Sequence, residues 1–165
     1  MGHSDGKSGH AGEALNEAQR ELGTWTLLFH QAIAERAGLH PTDHKCLDLI
    51  CRMGPITAGE LAQLAGLTTG AVTAVVDRLV ERDLVERNYQ AADRRKVYLH
   101  GQLEKASALF SPLFASLGKQ MNALYADYTE AELDLITGFT KRACSILEKE
   151  VQNMNSRQRT GVRQV

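Results

Sequence analysis

The chain has 165 residues, 43% hydrophobic and 24% charged, a composition typical of a soluble globular protein with one domain or one domain plus helical extensions. No apolar run approaches the roughly 18–20 residues that a bilayer span needs, and residues 1–12 lack the apolar core of a signal peptide. We therefore expect a cytoplasmic protein without membrane contact. The net charge of −1 does not exclude a nucleic-acid partner, because basic side chains outnumber acidic ones within residues 78–96.

The first half of the chain is predicted to be helical, because its apolar residues recur at three- and four-residue spacing. Thr57 and Glu60 form a capping box, in which the threonine hydroxyl accepts one orphan backbone N–H and the glutamate accepts another. Gly66 ends this short helix, and Thr68 is the predicted N-cap of the next one. The predicted helices are residues 13–37, residues 42–52, the segment between Thr57 and Gly66, and residues 69–82.

After Asp83 the apolar period changes from 3.6 to 2, which predicts a β-hairpin. Two long helices are predicted to follow it. Pro112 lies inside the first and should kink or split it, and Thr129 and Glu132 open the second with another capping box. The predicted strands are residues 84–89 and 96–100, the hairpin loop is residues 90–95, and the helices are residues 102–128 and 129–151.

The order of these elements points to DNA. Two helices that meet at a tight turn present the second one to the major groove, and a basic hairpin beside them can reach the adjacent minor groove. The second helix suits this role because its outward N-terminal side carries small residues, which let the backbone approach base edges. The alternative is an ordinary solvent-exposed helix face. The predicted DNA-binding residues are Thr68, Thr69, Gly70, Thr73, Ala74, Arg78, Arg87, Asp93, Arg94 and Arg95.

The segment Ile56 to Leu79 resembles the helix-turn-helix of the MarR (multiple antibiotic resistance regulator) family. Residues 84–87 (Leu-Val-Glu-Arg) and 93–97 (Asp-Arg-Arg-Lys-Val) resemble the wing of that family, including its Asp-x-Arg signature. The resemblance implies that Arg95 enters the minor groove. Asp93 is expected to hold an arginine in place by a charge-assisted hydrogen bond, the alternative being a solvated charge cluster. After the wing, residues 100–102 (His-Gly-Gln) depart from the common Thr-Glu-x-Gly pattern of the family.

The fold implied by the resemblance is mainly α, a winged helix-turn-helix with a two-stranded β wing and long N- and C-terminal dimerisation helices. It also implies a homodimer on a palindromic double-stranded operator, and a repressor released by a small molecule. The expected organisation is a disordered arm (residues 1–12), a helical dimerisation region (13–37 and 102–151), a winged helix-turn-helix region (42–100) and a basic flexible tail (152–165).

The expected effector is a small aromatic or amphipathic ligand, held between the first helices and the DNA-binding lobe. The residues named for this pocket could instead be core or dimer packing. A winged helix that binds only proteins is the alternative to a DNA-binding regulator, since fold alone does not fix function. The predicted ligand-binding residues are Trp25, Phe29, His30, Leu39, His44 and Met53.

Metal and thiol chemistry are the alternative sensor types. His40, His44 and Cys46 are close in sequence, but side chains two residues apart diverge on a helix, so no metal site and no cofactor are predicted. Cys46 and Cys51 lie on the second helix, whereas the resemblance implies thiol sensors with a cysteine in the first. No catalytic triad, carboxylate pair, phosphate loop or dinucleotide fingerprint is visible, so we do not expect an enzyme.

Overall fold

The computed structural model describes the backbone of residues 5–90 and 93–161 and the side chains of residues 10–88 and 97–155. The described chain is mainly helical with a small antiparallel sheet, which confirms the predicted fold class. Two compact units are present, Met1–His44 and Lys45–Val165. The elements are α1 (Asp5–Arg36), α2 (Pro41–Met53), β1 (Ile56–Thr57), α3 (Ala58–Ala65), α4 (Thr69–Glu81), β2 (Val85–Gln90), β3 (Asp93–Gly101), α5 (Leu103–Tyr125) and α6 (Glu130–Gly161).

The first unit is built on α1, which ends at Arg36, one residue before the predicted end, with Gly38 just beyond it as predicted. This glycine has φ of +66°, and Leu39 N–H donates to the Ala34 carbonyl at 2.8 Å, which are the features of a Schellman C-cap. The last turns of α1 are buried at Ile33 and Ala34. Its start differs from the prediction: α1 begins at Asp5, so the expected disordered arm is wrong for residues 5–12.

The second unit has its core under α3 and α4. Val72, Val76 and Leu79 on α4 are almost fully buried, as is Leu61 on α3, because the 3.6-residue period places these side chains on one face of each helix. The predicted Thr57–Glu60 capping box is present, with Glu60 N–H donating to Thr57 Oγ1 at 3.2 Å and Thr57 N–H donating to Glu60 Oε2 at 2.7 Å. The capping box therefore sets where α3 begins.

The wing sheet has the strand order β1-β3-β2, and both pairings are antiparallel. The central residue is Leu99, which pairs with Ile56 on one side and Arg87 on the other. The prediction of a loop at residues 90–95 is wrong for residue 90 and for residues 93–95, because β2 reaches Gln90 and β3 begins at Asp93, while residues 91–92 lie outside the described part of the chain. The ends of β2 and β3 next to residues 91–92 are polar and do not alternate between apolar and polar residues. Only their pairing with each other identifies them as strand. The two-residue strand β1 was not predicted; it lies directly before α3 and includes Thr57, the residue that caps that helix.

The two long C-terminal helices also differ from prediction at particular points. Pro112 lies inside α5, which continues through it, so the helix is not split. The Thr129–Glu132 capping box is present, and its side-chain and backbone hydrogen bonds from Thr129 lower the pKa of Glu132. α6 continues to Gly161, so the expected flexible tail is wrong for residues 152–161; residues 162–165 lie outside the described chain. Within the described residues, every helix is too short or too polar to span a bilayer.

Candidate nucleic-acid interface

The outward face of α4 carries all of the helix residues predicted to contact DNA. Thr68, Thr69, Gly70, Thr73, Ala74 and Arg78 are exposed, whereas the valines and the leucine on the opposite face are buried. The side chains on this face are small over the first two turns of the helix, because threonine, glycine and alanine project little from the backbone. A helix of this kind can lie deep in a major groove, since nothing long separates its backbone from the base edges.

The N-terminus of α4 is arranged to receive a phosphate. Thr68 Oγ1 accepts a hydrogen bond from Ala71 N–H at 3.3 Å, and the Thr68 carbonyl accepts one from Val72 N–H at 3.0 Å. The N–H groups of Thr69 and Gly70 precede the first intrahelical bond, so they have no acceptor within the helix. A Cβ added at Gly70 would meet nothing within 4 Å, so glycine is not required there for packing and leaves open space beside these donors. The helix dipole adds to their attraction for an anion.

Thr73 presents its methyl group rather than a free hydroxyl proton. Its Oγ1 donates to the Thr69 carbonyl one turn earlier, at 3.0 Å. The hydroxyl proton is therefore already used within the helix, while the side chain is exposed. The remaining chemistry is an apolar methyl, which fits the C5-methyl of thymine, and oxygen lone pairs that can accept a hydrogen bond.

The link between α4 and the wing was not predicted. Asp77 lies one turn after Thr73 on α4, and its Oδ1 accepts a hydrogen bond from Arg87 Nη2 of β2 at 2.5 Å. Arg87 was predicted as a DNA contact, but Asp77 was not named. A signal did exist, because an acidic residue four positions after Thr73 must share its outward face. The angle between α4 and β2, which brings Arg87 next to Asp77, cannot be predicted from the sequence.

The wing residues Asp93, Arg94 and Arg95 belong to β3 by their backbone, but their side chains lie outside the described part of the chain. The root of the wing is described, and it is joined to α5 by several contacts. Gln102 N–H donates to the Leu84 carbonyl at 2.9 Å, Gln102 Nε2 donates to Glu86 Oε2 at 3.1 Å, and Lys105 pairs with Asp83. This is the junction at which the sequence departs from the family pattern, and it is closely bonded.

Three of the residues predicted to bind a ligand lie together in the first unit. His30 Nδ1 and His44 Nε2 are 3.1 Å apart with the two rings stacked, and the Phe29 ring meets the His30 ring edge-on. Leu39 is buried. Trp25 is 63% exposed and Met53 is 52% exposed, so neither is enclosed in this chain.

Cys46 and Cys51 of α2 lie in surroundings that do not favour a reactive thiol. Cys46 is buried, and burial together with the nearby Asp48 charge raises the pKa of the Cys51 thiol. Since a reactive thiol needs a lowered pKa and access, both positions disfavour redox sensing. Among the side chains of residues 10–88 and 97–155, no three histidine, cysteine, aspartate or glutamate residues are grouped to hold a metal ion.

Comparison with known proteins gives a consistent result. The model of the MarR family matches residues 37–96. The HTH-type transcriptional regulator YcgE of Bacillus subtilis (strain 168) is 44% identical over 135 residues, which is 82% of this chain and 87% of that protein. The transcriptional regulator Tm0710 of Thermotoga maritima is 21% identical, with a TM-score of 0.60 over 84% of this chain and 96% of that one.

The E. coli MarR apo structure is 22% identical, with a TM-score of 0.55 over 78% of this chain and 96% of that one. At identities of 21% and 22% the two solved structures support the fold, and the 44% identity to YcgE supports the family. The outward face of α4, the sheet beside it and these similarities lead to one conclusion: the chain belongs to the MarR family and is a DNA-binding transcription regulator.

Proposed function

We propose that this regulator is a repressor that binds a palindromic double-stranded operator as a homodimer, and that a small aromatic or amphipathic ligand releases it. It acts by binding rather than by catalysis, and in the cytoplasm, where its operator is. The observation that carries the proposal is the exposed, small-residue face of α4 with a helix N-terminus free to meet phosphate.

A second copy of the chain is the proposed partner of α6. Leu135, Ile146 and Leu147 are 74%, 64% and 65% exposed, and Phe139 is 44% exposed. The helical period places Leu135, Phe139 and Ile146 on one side of α6 with Leu147 beside them, and exposed apolar surface of this kind is typical of a protein interaction site. Because two copies pack about a two-fold axis, their recognition helices meet two half-sites that are related by the same axis.

The wing is proposed to read the minor groove through Arg95, with Arg94 on phosphate and Asp93 holding an arginine. This assignment rests on the family's Asp-x-Arg motif. A narrow A·T-rich minor groove concentrates negative potential and attracts arginine. Asp93 itself would be repelled by phosphate, so we assign it to orientation rather than contact.

The ligand is proposed to contact Phe29, His30 and His44, with Trp25, Leu39 and Met53 as further contacts. An aromatic ring edge and a pair of imidazoles offer apolar area together with hydrogen-bonding nitrogen atoms. That combination suits a phenol or a related amphipathic molecule. Ligand-linked release requires only that the ligand binds the DNA-free form more tightly than the bound form.

The test of the proposed function is selection of bound duplexes from a random pool, followed by affinity measurement across salt concentrations. We expect an inverted repeat with half-site centres about 10 base pairs apart, and affinity that falls steeply with salt. A phenol panel added to the complex should include a compound that releases the DNA. Absence of any enriched sequence would instead favour a winged helix that binds proteins only.

We predict that Thr73 reads a thymine methyl. Thr73→Ser removes the methyl and should weaken operator binding by about 1 kcal/mol, at the low end of the range for a specific base contact. Thr73→Val keeps a methyl at the same place and should bind nearly as the wild type does. Fluorescence anisotropy with the selected operator measures both.

A matched change in the DNA identifies the contacted base. Replacing thymine by uracil removes its methyl, so at one position this replacement should weaken the wild type and leave Thr73→Ser unaffected. The opposite ranking of the two variants, with Thr73→Val weak and Thr73→Ser normal, would assign the contact to the hydroxyl oxygen instead.

A further inference from the structure

Asp77 stands where a negative charge is unfavourable for DNA binding. It lies on the exposed side of α4, one helical turn beyond Thr73, and its side chain is 50% exposed. When α4 lies in a groove, this carboxylate approaches the phosphates of a polyanion. An isolated aspartate at this place would therefore oppose the function of the helix.

The negative charge of the Asp77 carboxylate on α4 is balanced by the Arg87 guanidinium on β2. Arg87 Nη2 of β2 donates to Asp77 Oδ1 at 2.5 Å, and the arginine side chain is only 33% exposed. Arg87 is also fixed by its backbone, since it pairs with Leu99 in the central strand of the sheet. The ion pair thus ties the recognition helix to a rigid position in the wing.

Stability alone is a weak reason for this pair. Exposed ion pairs contribute little to folding, because water screens them and because two long side chains lose freedom. Orientation is the larger effect. A guanidinium has five N–H donors in a fixed plane, and one carboxylate can occupy at most two of them, so a held arginine presents the others in a defined direction.

We propose that Asp77 is a positioning residue for DNA binding: its carboxylate holds the Arg87 guanidinium between α4 and β2 so that the remaining N–H groups meet the DNA backbone. This deepens the proposed function and rests on it. Asp77 acts through Arg87 and touches no DNA itself. Its effect on affinity is therefore opposite in sign to that expected from its charge.

The first test compares two acid-to-amide changes on the same helix. Asp77→Asn should weaken operator binding about three- to tenfold, because the released arginine must be ordered again on binding. Glu81→Gln, one turn further along α4 and also exposed, removes the same charge and should leave affinity unchanged or raise it about twofold. Both variants should melt near the wild-type temperature, which separates positioning from loss of fold.

The second test asks whether Asp77→Asn weakens or tightens operator binding when Arg87 is absent. In an Arg87→Ala background the carboxylate has no arginine to hold, so adding Asp77→Asn should tighten binding, whereas the same change weakens it in the wild type. Arg87→Ala alone should also lower the slope of log affinity against log salt by about 0.9, the value for one phosphate contact. Arg87→Lys keeps the charge without the planar fork and should recover only part of the affinity.

The outcomes separate the two ideas. If the wild type selects no sequence at all, the proposed function is wrong. If the wild type binds its operator while Asp77→Asn tightens binding as Glu81→Gln does, the proposed function stands and the positioning role is wrong. Equal weakening by Asp77→Asn in the wild-type and Arg87→Ala backgrounds would likewise overturn it, because Asp77 would then act without Arg87.

Discussion

Replacing Ile146 and Leu147 of α6 with glutamate should convert the protein from a dimer into a monomer of 18.1 kDa. Both side chains are about two-thirds exposed in the single chain, so a charge there is tolerated by the isolated subunit but not by a dry contact between two subunits. Sedimentation equilibrium measures the change in mass directly.

Operator affinity should fall when dimerisation is lost. In a dimer the second recognition helix binds at the high effective concentration set by the first, an advantage of about 100-fold or more that a monomer lacks. Binding to a single half-site should be much less affected, since each α4 keeps its own contacts. Anisotropy measurements on full and half operators separate these effects.

A matched control lies on the other side of the same helix. Ser145→Glu and Gln152→Glu also add two negative charges to α6, at exposed positions that the helical period turns away from Ile146 and Leu147. This control should remain a dimer and keep its operator. A dimer that survives the Ile146 and Leu147 changes would place the subunit contact elsewhere, on surfaces such as the exposed side of α1.

Gly101→Val should lower the free energy of unfolding by about 3 kcal/mol, the upper end of ordinary overpacking costs. A Cβ at Gly101 would lie 2.5 Å from Cys51 Sγ and 3.3 Å from Cys51 Cα, so the end of β3 rests directly on α2. Because the second distance is to backbone, rotation of the cysteine side chain cannot relieve the whole clash. Urea unfolding of the full-length protein measures the loss.

A rescue identifies the cause. Cys51→Ala removes the Sγ atom, so the double variant should recover part of the stability that Gly101→Val loses, with the backbone contact accounting for the rest. Gly118→Ala on α5 is the control, since a Cβ there meets nothing within 4 Å and should stabilise the helix by about 0.5–1 kcal/mol. If Gly101→Val unfolds with wild-type stability, the contact between the end of β3 and α2 is looser than these distances indicate.

The parts of the fold that depend on neighbours in sequence could be predicted. The Thr57–Glu60 box, the Thr68 cap and the exposed face of α4 follow from spacing alone, because a helix places residues three and four apart on one side. Helix ends without an apolar period could not be predicted in this way. Apart from Ala11 and Met154, residues 5–12 and 152–161 are polar or glycine, so no apolar period distinguishes a solvated helix from a disordered chain.

The parts that depend on distant pairing were missed or remain predictions. β1 is two residues long and exists only because β3 lies beside it. The Asp77–Arg87 pair joins a helix to a strand across a turn whose angle the sequence does not encode in any short motif. The roles of Asp93, Arg94 and Arg95 stay predictions. For the ligand, the structure groups Phe29, His30 and His44 but leaves Trp25 and Met53 exposed.

The central place of β3 in the sheet has a consequence for how the protein folds. Leu99 pairs with Ile56 and with Arg87, so one strand closes a loop that contains α3, α4 and β2. Closing such a loop costs chain entropy before any contact rewards it, so β3 should join late, after the capped helices have formed locally. Once joined, it binds both ends of that loop. We therefore expect the recognition helix and the root of the wing to open and close as one cooperative unit, with similar protection of their backbone amides from hydrogen exchange.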